Sequence, residues 1–420
     1  MTKKKKNNRI MIVGSFFVIA LFLIIISFTI APNMMATSYN NGVDYMTGIV
    51  DDITSTDHFK TVSEHIKTPD AVKSIYMTAC VAGTPSFRED LVELLDETEL
   101  NSIIIDVKDF TGTISFDTDD PDLIGVDGTG CRASDMKSFL KTLHEKNIYT
   151  IARITVFQDP FYTNAYPELA VKKASDGSIW EDYKGISFIE EGAEPYWEYI
   201  VKLSKASYDL GFDEINFDYV RFPSDGNMKD IHFPFSGDLV DENPDGGKAI
   251  ALERFFKYLK KEIDDINVDL RKDAEQEIVT SADLFGMVTT STDDLNIGQV
   301  LERALPYFDY IAPMVYPSHY PPHFNGWADP NKYPYELIEF VMAEGVRRVR
   351  EMKVAETTPE SVKEHLSIQQ LRPWIQDFDY GGDYDIEEVR AQIQATYDVG
   401  LNSWMLWAAS NRYTSGALEE

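Results

Sequence analysis

Eight short apolar runs alternate with helical patterns along this chain, and that alternation constrains its fold more than any other feature. The runs are Ser74–Val81, Ser102–Phe110, Tyr149–Phe157, Glu214–Phe222, Val279–Phe285, Tyr310–Tyr316, Leu371–Phe378 and Asn402–Ala408. Between them, helical periodicity runs through Ser86–Glu97, Ala133–Lys146, Ala193–Leu210, Gly247–Ala274, Asn296–Leu305, Tyr335–Val354 and Ile386–Val399. Ile103–Ile105 and Ile311–Val315 are almost wholly apolar, the pattern of parallel strands covered by helices on one side and packed on the other. The alternation predicts an α/β fold, a closed (β/α)8 TIM barrel. A nucleotide-binding doubly wound sheet fits less well, because no glycine-rich phosphate loop follows the first run. Residues 68–420 suffice for one such barrel with long loops.

The N-terminus addresses location. Lys3, Lys4, Lys5, Lys6 and Arg9 precede a run without charges from Ile10 to Ile30, closed by Pro32. An apolar helix of about 20 residues spans a ~30 Å hydrocarbon core, whereas the core of a cleaved signal is nearer 7 to 15 residues. Length therefore favours an uncleaved transmembrane signal-anchor within residues 1–32. A signal cleaved near Ala31 or Ala36 is the alternative. Positive flanks stay in the cytoplasm, so the chain beyond Pro32 is expected outside it, on a single-pass membrane protein. Residues 33–67 read as an extracellular polar tether.

Charge and cysteine content narrow the partners. There are 70 acidic and 39 basic residues, net −31, which argues against nucleic acid or an anionic membrane surface as a partner of the domain. Two cysteines, Cys80 and Cys131, form no framework, and Cys80 in an apolar run reads as a buried thiol, a bridge between the two being the alternative. There is no HExxH, no Cys-rich ligand set and no Gly-x-Ser-x-Gly elbow, so neither a catalytic metal nor a cofactor is expected, nor the commonest serine hydrolase chemistry. His319 and His323 lie among prolines that preclude a regular helix.

In a TIM barrel the chemistry sits at the C-terminal ends of the strands. The stretch GFDEINFDYVRFP, from Gly211 to Pro223, ends a helix at the glycine. It then sets Ile215 and Phe217 on one side of a strand and Glu214, Asn216 and Asp218 on the other. The same alternation turns Asp106, Lys108, Arg153 and Thr155 inward, with Asp283, Tyr316, Gln376 and Trp407, and with Asp377 just beyond. The loops after the third, fourth and sixth strands are long. They carry Phe161, Tyr162, Tyr166, Trp180, Tyr183 and Trp327, aromatic faces suited to the apolar faces of sugar rings.

Hydrolysis of a glycosidic bond uses two carboxyl groups, one protonated and one ionised. Asp218 and Asp283, on neighbouring strands, are the expected pair. Arg153 favours an ionised nucleophile at Asp218, and a less charged setting favours a proton on Asp283. Asp377 is the rival second carboxylate, Glu214 lies too early on its strand to reach substrate, and Asp106 with Lys108 reads as a structural or positioning pair. Asp106, Lys108, Arg153, Asn216, Tyr219, Arg221, Tyr316, His319, Trp327, Gln376 and Trp407 are the expected substrate contacts.

Five segments carry a family resemblance: IIIDVKD (Ile103–Asp109), GFDEINFDYVRFP, SADLFG (Ser281–Gly286), YIAPMVYPSHY (Tyr310–Tyr320) and RPWIQDF (Arg372–Phe378). From about Ser74 to Tyr413 the chain resembles a family of bacterial (β/α)8 glycoside hydrolases long catalogued as a domain of unknown function. By fold analogy the resemblance extends to barrel glycosidases of the amylase type, with an Asp nucleophile at the end of the fourth strand. It implies that Asp218 is the nucleophile. Those enzymes carry Glu as the acid where Asp283 stands here, and Ile189–Gly192 departs from the family's Trp and Asp-Pro pattern, so contacts from that loop are expected to differ. The expected function is a surface-anchored hydrolase of a cell-envelope or extracellular polysaccharide. The alternative is a non-catalytic carbohydrate-binding barrel.

Overall fold

The computed structural model describes residues 64–420 apart from 127 and 129. Eight parallel strands close into one barrel: β1 (Lys73–Met77), β2 (Ser102–Lys108), β3 (Tyr149–Thr155), β4 (Glu214–Asp218), β5 (Val279–Phe285), β6 (Tyr310–Met314), β7 (Trp374–Gln376) and β8 (Trp404–Trp407). Seven crossover helices join them: α1 (Pro85–Glu97), α2 (Met136–Glu145), α3 (Glu194–Leu210), α4 (Gly247–Lys272), α5 (Leu301–Ala304), α6 (Pro334–Val354) and α7 (Ile386–Asp398). The (β/α)8 expectation holds.

Two apolar layers result from the strand alternation. Ile103, Ile105, Ile215, Phe217, Ala282, Leu284 and Ile311 face outward into the core under the helices. Tyr76, Ile104, Tyr149, Ile151, Ala312, Trp374 and Met405 fill the barrel interior. With both faces buried, the strands read as continuous apolar runs, interrupted only where an inward polar group is placed. Gly211 ends α3 at φ +128°, a conformation side chains rarely adopt, and its N–H bonds back to the last turn.

Most strands stop two to four residues before the sequence pattern does. Thr78 caps a short helix at Ala79–Ala82 where strand was expected to Val81, and Tyr219 turns β4 out of the sheet at φ +53°. A left-handed non-glycine residue costs about 1–3 kcal/mol, which the surrounding fold must supply. Helix α5 starts late because Leu295, Asn296 and Gly298 all have positive φ.

Cys80 corrects the expectation of a buried thiol. It is exposed on the short helix and forms a disulfide with Cys131, with Cα atoms 4.7 Å apart. The helix, not the strand, carries it, and so turns it away from the core.

Ile66 and Thr68 close the lower end of the barrel. Ile66 packs on the interior cluster, its N–H donates to Asp213 Oδ1 (2.8 Å), and Thr68 Oγ1 lies 3.0 Å from the Tyr149 hydroxyl. The expected span Ile10–Ile30 lies outside the described residues; among them no helix is long and apolar enough to cross a membrane.

Candidate active site

β4 positions the site. Its register sets Asn216 beside Arg153 and Asp218 beside Thr155 of β3, and Asn216 beside Ser281 of β5. Two residues further along β5, Asp283 reaches the same level.

Arg153 is the hub. Its Nη1 donates to Asp106 Oδ1 at 2.6 Å, its Nη2 to Asp218 Oδ2, and its Nε lies 3.7 Å from Asp283 Oδ2. The Tyr76 hydroxyl also donates to Asp106, and the Tyr219 backbone N–H donates to Asp218 Oδ1 at 2.5 Å. The left-handed turn at Tyr219 brings that N–H onto the carboxylate. Asp283 Oδ1 accepts from Asn216 Nδ2 (2.9 Å) and from the Trp374 indole (2.8 Å). One guanidinium thus serves three carboxyls.

The electrostatics separate them. Burial, and then the negative charge of Asp218, push Asp283 up to about 8 against the opposing pull of Arg153. Asp106 is also raised by burial, with Arg153 and Tyr76 pulling the other way. For Arg153 itself, burial would lower the pKa, but Asp218 and Asp106 outweigh it and raise it. Two polar atoms here, Arg153 Nε and Asn216 Oδ1, are buried without a hydrogen-bond partner. Such orphans are rare in native structures and call for a group to meet them.

A cavity of about 260 Å³ opens onto this cluster, lined by Asp218 and Asp283 with Arg153, Tyr219, Arg221, Tyr316, His319 and Trp407. The structure therefore brings together most of the expected site. Trp407 stacks on Tyr76 at 4.1 Å, and the Arg153 guanidinium lies 5.2 Å from the Trp407 ring. Arg221 lies over the Tyr219 ring, and its Nη1 donates to Phe222 O and Ser224 Oγ.

Four expected site residues lie elsewhere. A register shift in β2 between Asp106 and Lys108 reverses the alternation. Lys108 therefore leaves the interior and is buried against Asp159 (2.9 Å) under the Tyr196 ring, not paired with Asp106. Gln376 is buried, accepting from Ser318 and donating to Phe378 O, so its amide positions the loop after β6. Trp327 stacks on Tyr333 and packs against Phe324 and Phe340, away from the cavity. Asp377 accepts from the N–H (2.9 Å) and hydroxyl (2.7 Å) of Thr414 and faces a neighbouring cavity, so it is not placed beside Asp218.

Sequence reasoning missed Tyr76 and Trp374, the polar tips of which hold Asp106 and Asp283. Aromatic residues in barrel strands read as core, and alternation alone signals only that both point inward. Among the loop aromatics, Trp180 and Tyr162 are buried structural groups, whereas Tyr183 is exposed. In the divergent loop, Glu190 accepts from the Ser236 and Gly192 N–H groups, and Glu191 is buried with its pKa raised by burial and by Glu190. Neither lines the cavity.

Comparison with solved structures finds a hypothetical protein from Ruminiclostridium thermocellum ATCC 27405, 28% identical, covering 50% of this chain and 96% of that one, TM-score 0.39. The spore cortex-lytic enzyme SleL of Bacillus megaterium QM B1551 is 9% identical over 83% of this chain and 74% of its own, TM-score 0.45. A class V chitinase from Nicotiana tobaccum is 10% identical over 83% and 97%, TM-score 0.45. No curated protein matches. A family model described as "putative glycosyl hydrolase domain" matches residues 74–413, from β1 to beyond β8, and the chain belongs to that family.

Proposed function

We propose that this protein is a glycoside hydrolase in which Asp218 and Asp283 divide the work, Asp283 as the proton donor and Asp218 as the ionised partner. The observation that carries the reading is that two buried carboxyls line one cavity, Asp218 bonded to the Arg153 guanidinium and Asp283 held off it at 3.7 Å. Asp283, raised to about 8, holds a proton at neutral pH, while Asp218 faces the Arg153 guanidinium. Asp283 donates its proton to the glycosidic oxygen as the bond to the leaving sugar breaks. Asp218 attacks the anomeric carbon, and the deprotonated Asp283 then activates the water that releases the second sugar. A retaining course is proposed, which requires the two carboxyl groups to stand about 5–5.5 Å apart.

The domain is proposed to act outside the cytoplasm, held by the apolar run at Ile10–Ile30, on a polysaccharide of the cell envelope or its surroundings. The Cys80–Cys131 disulfide supports this, because such bonds persist in oxidising compartments.

A non-catalytic carbohydrate-binding barrel is the second reading, favoured by the ion pairing of Asp106 and Asp218 to Arg153. The test is reducing-end release from a panel of defined glycans by the full chain and by Asp218→Asn. A hydrolase loses release and keeps glycan binding. Binding by both proteins with release by neither establishes the second reading.

A further inference from the structure

A second, larger cavity of about 760 Å³ adjoins the first, and the two share His319 and Trp407 as a common wall. Its floor and sides come from the ends of β7 and β8: Phe378, Asp379 and Tyr380 on one side, Arg412 and Thr414 on the other. The smaller cavity falls below the ~300–1,000 Å³ typical of cavities that enclose drug-sized ligands, and the larger lies well inside that range. One ring beside the carboxyls and several beyond them is the arrangement these volumes suit.

The lining indicates the chemistry. Tyr380 is 65% exposed, and the His319 ring lies 6.2 Å from it and 6.2 Å from Phe378. These rings offer flat apolar faces beside the shared wall. Asp377 is committed to Thr414, and Asp379 Oδ1 accepts from the Tyr384 N–H, which leaves Asp379 one carboxylate oxygen facing outward. Arg412 is exposed, and among the described residues its guanidinium has no carboxylate partner. An acceptor and a donor of opposite charge in one cavity, with hydroxyls of Ser410 and Thr414 nearby, suit a ligand rich in hydroxyls better than an ion.

We infer that the larger cavity is a set of remote subsites that holds an uncharged glycan chain running from the Asp218–Asp283 cavity across Trp407 toward Tyr380 and Arg412. The inference rests on the carbohydrate reading of the smaller cavity. It makes the substrate a chain of at least several contiguous sugars on the β7–β8 side, not a small glycoside.

The test uses the full chain with β-1,4-linked oligomers of glucose and of N-acetylglucosamine, α-1,4-linked glucose oligomers and uronic acid oligomers, each from two to six units. Binding is read by calorimetry and cleavage by reducing ends. Affinity for one neutral series is expected to rise about tenfold or more with length, and Tyr380→Ala or Arg412→Gln to remove about three- to tenfold of it, flattening the length dependence. A flat wild-type series, unchanged affinity in both variants, or tighter binding of the uronic acid chains overturns the inference. Reducing-end release alongside a flat series leaves the hydrolase reading standing, and length-dependent binding without release does the reverse. No binding to any series removes both.

Discussion

Glu214 and Asp218 lie on the same strand, face the same barrel interior and each meet a buried arginine, yet their surroundings differ in ways that matter for chemistry. Near the lower end, Arg372 Nη1 lies 2.8 Å and 3.1 Å from the two Glu214 oxygens, the Tyr149 hydroxyl donates to Glu214 at 3.0 Å, and the guanidinium lies over the Tyr310 ring. One acid faces one cation, and Ile66 covers that end. Four residues up the strand, one arginine serves three acids, a cavity opens onto it, and the acid with the weakest hold on the guanidinium, Asp283, has its pKa pushed up to about 8 by burial and by Asp218. A balanced buried pair gives structural specificity. An unbalanced cluster leaves a carboxyl that can change its charge.

The largest contrast is in turnover. Asp218→Asn removes the proposed nucleophile and is expected to lower reducing-end release by about 10⁴-fold or more, whereas Glu214→Gln leaves the rate per folded molecule within about threefold of wild type. Equal losses from both would dissolve the distinction. In stability the order reverses. Arg372→Met strands the Glu214 charge in the interior and is expected to cost about 3–5 kcal/mol in denaturant unfolding, while Asp218→Asn leaves a neutral isostere beside Arg153 and costs less.

The pH profile sharpens the same comparison. In the proposed role Asp283 acts protonated, and the proton is lost as pH rises through about 8, so activity is expected to fall about tenfold per unit above that point. Removing Asp283 as Asp283→Asn is expected to abolish this limb with about 10²- to 10⁴-fold of the rate. Smallest is Tyr149→Phe, which deletes one hydrogen bond to Glu214 and is expected to cost about 1–3 kcal/mol without moving the pH profile.

Much of this was legible in the residues. Period-two alternation placed Asp106, Arg153, Asn216, Asp218 and Asp283 in the interior, and eight strands alternating with seven helices gave the barrel. Alternation fails where the backbone departs from regular pairing. A single bulge sends Lys108 into the helical shell, and a helix in place of the last turn of β1 exposes Cys80 for its disulfide. It is also blind to partners distant in sequence. Nothing local to Asp377 announces Thr414, and nothing local to Asp283 announces the Trp374 indole on β7. Loop aromatics such as Trp327 are the least legible, because one ring serves equally to pack a loop or to hold a sugar.

Whether Asp283 stays protonated at neutral pH can be measured without knowing the substrate. Infrared difference spectra of wild type against Asp283→Asn, followed through the protonated-carboxyl band from pH 4 to 10, isolate this one group from the other buried acids. A band present at pH 7 that disappears near pH 8 is expected. Disappearance near the ordinary aspartate value of about 4 would contradict that expectation.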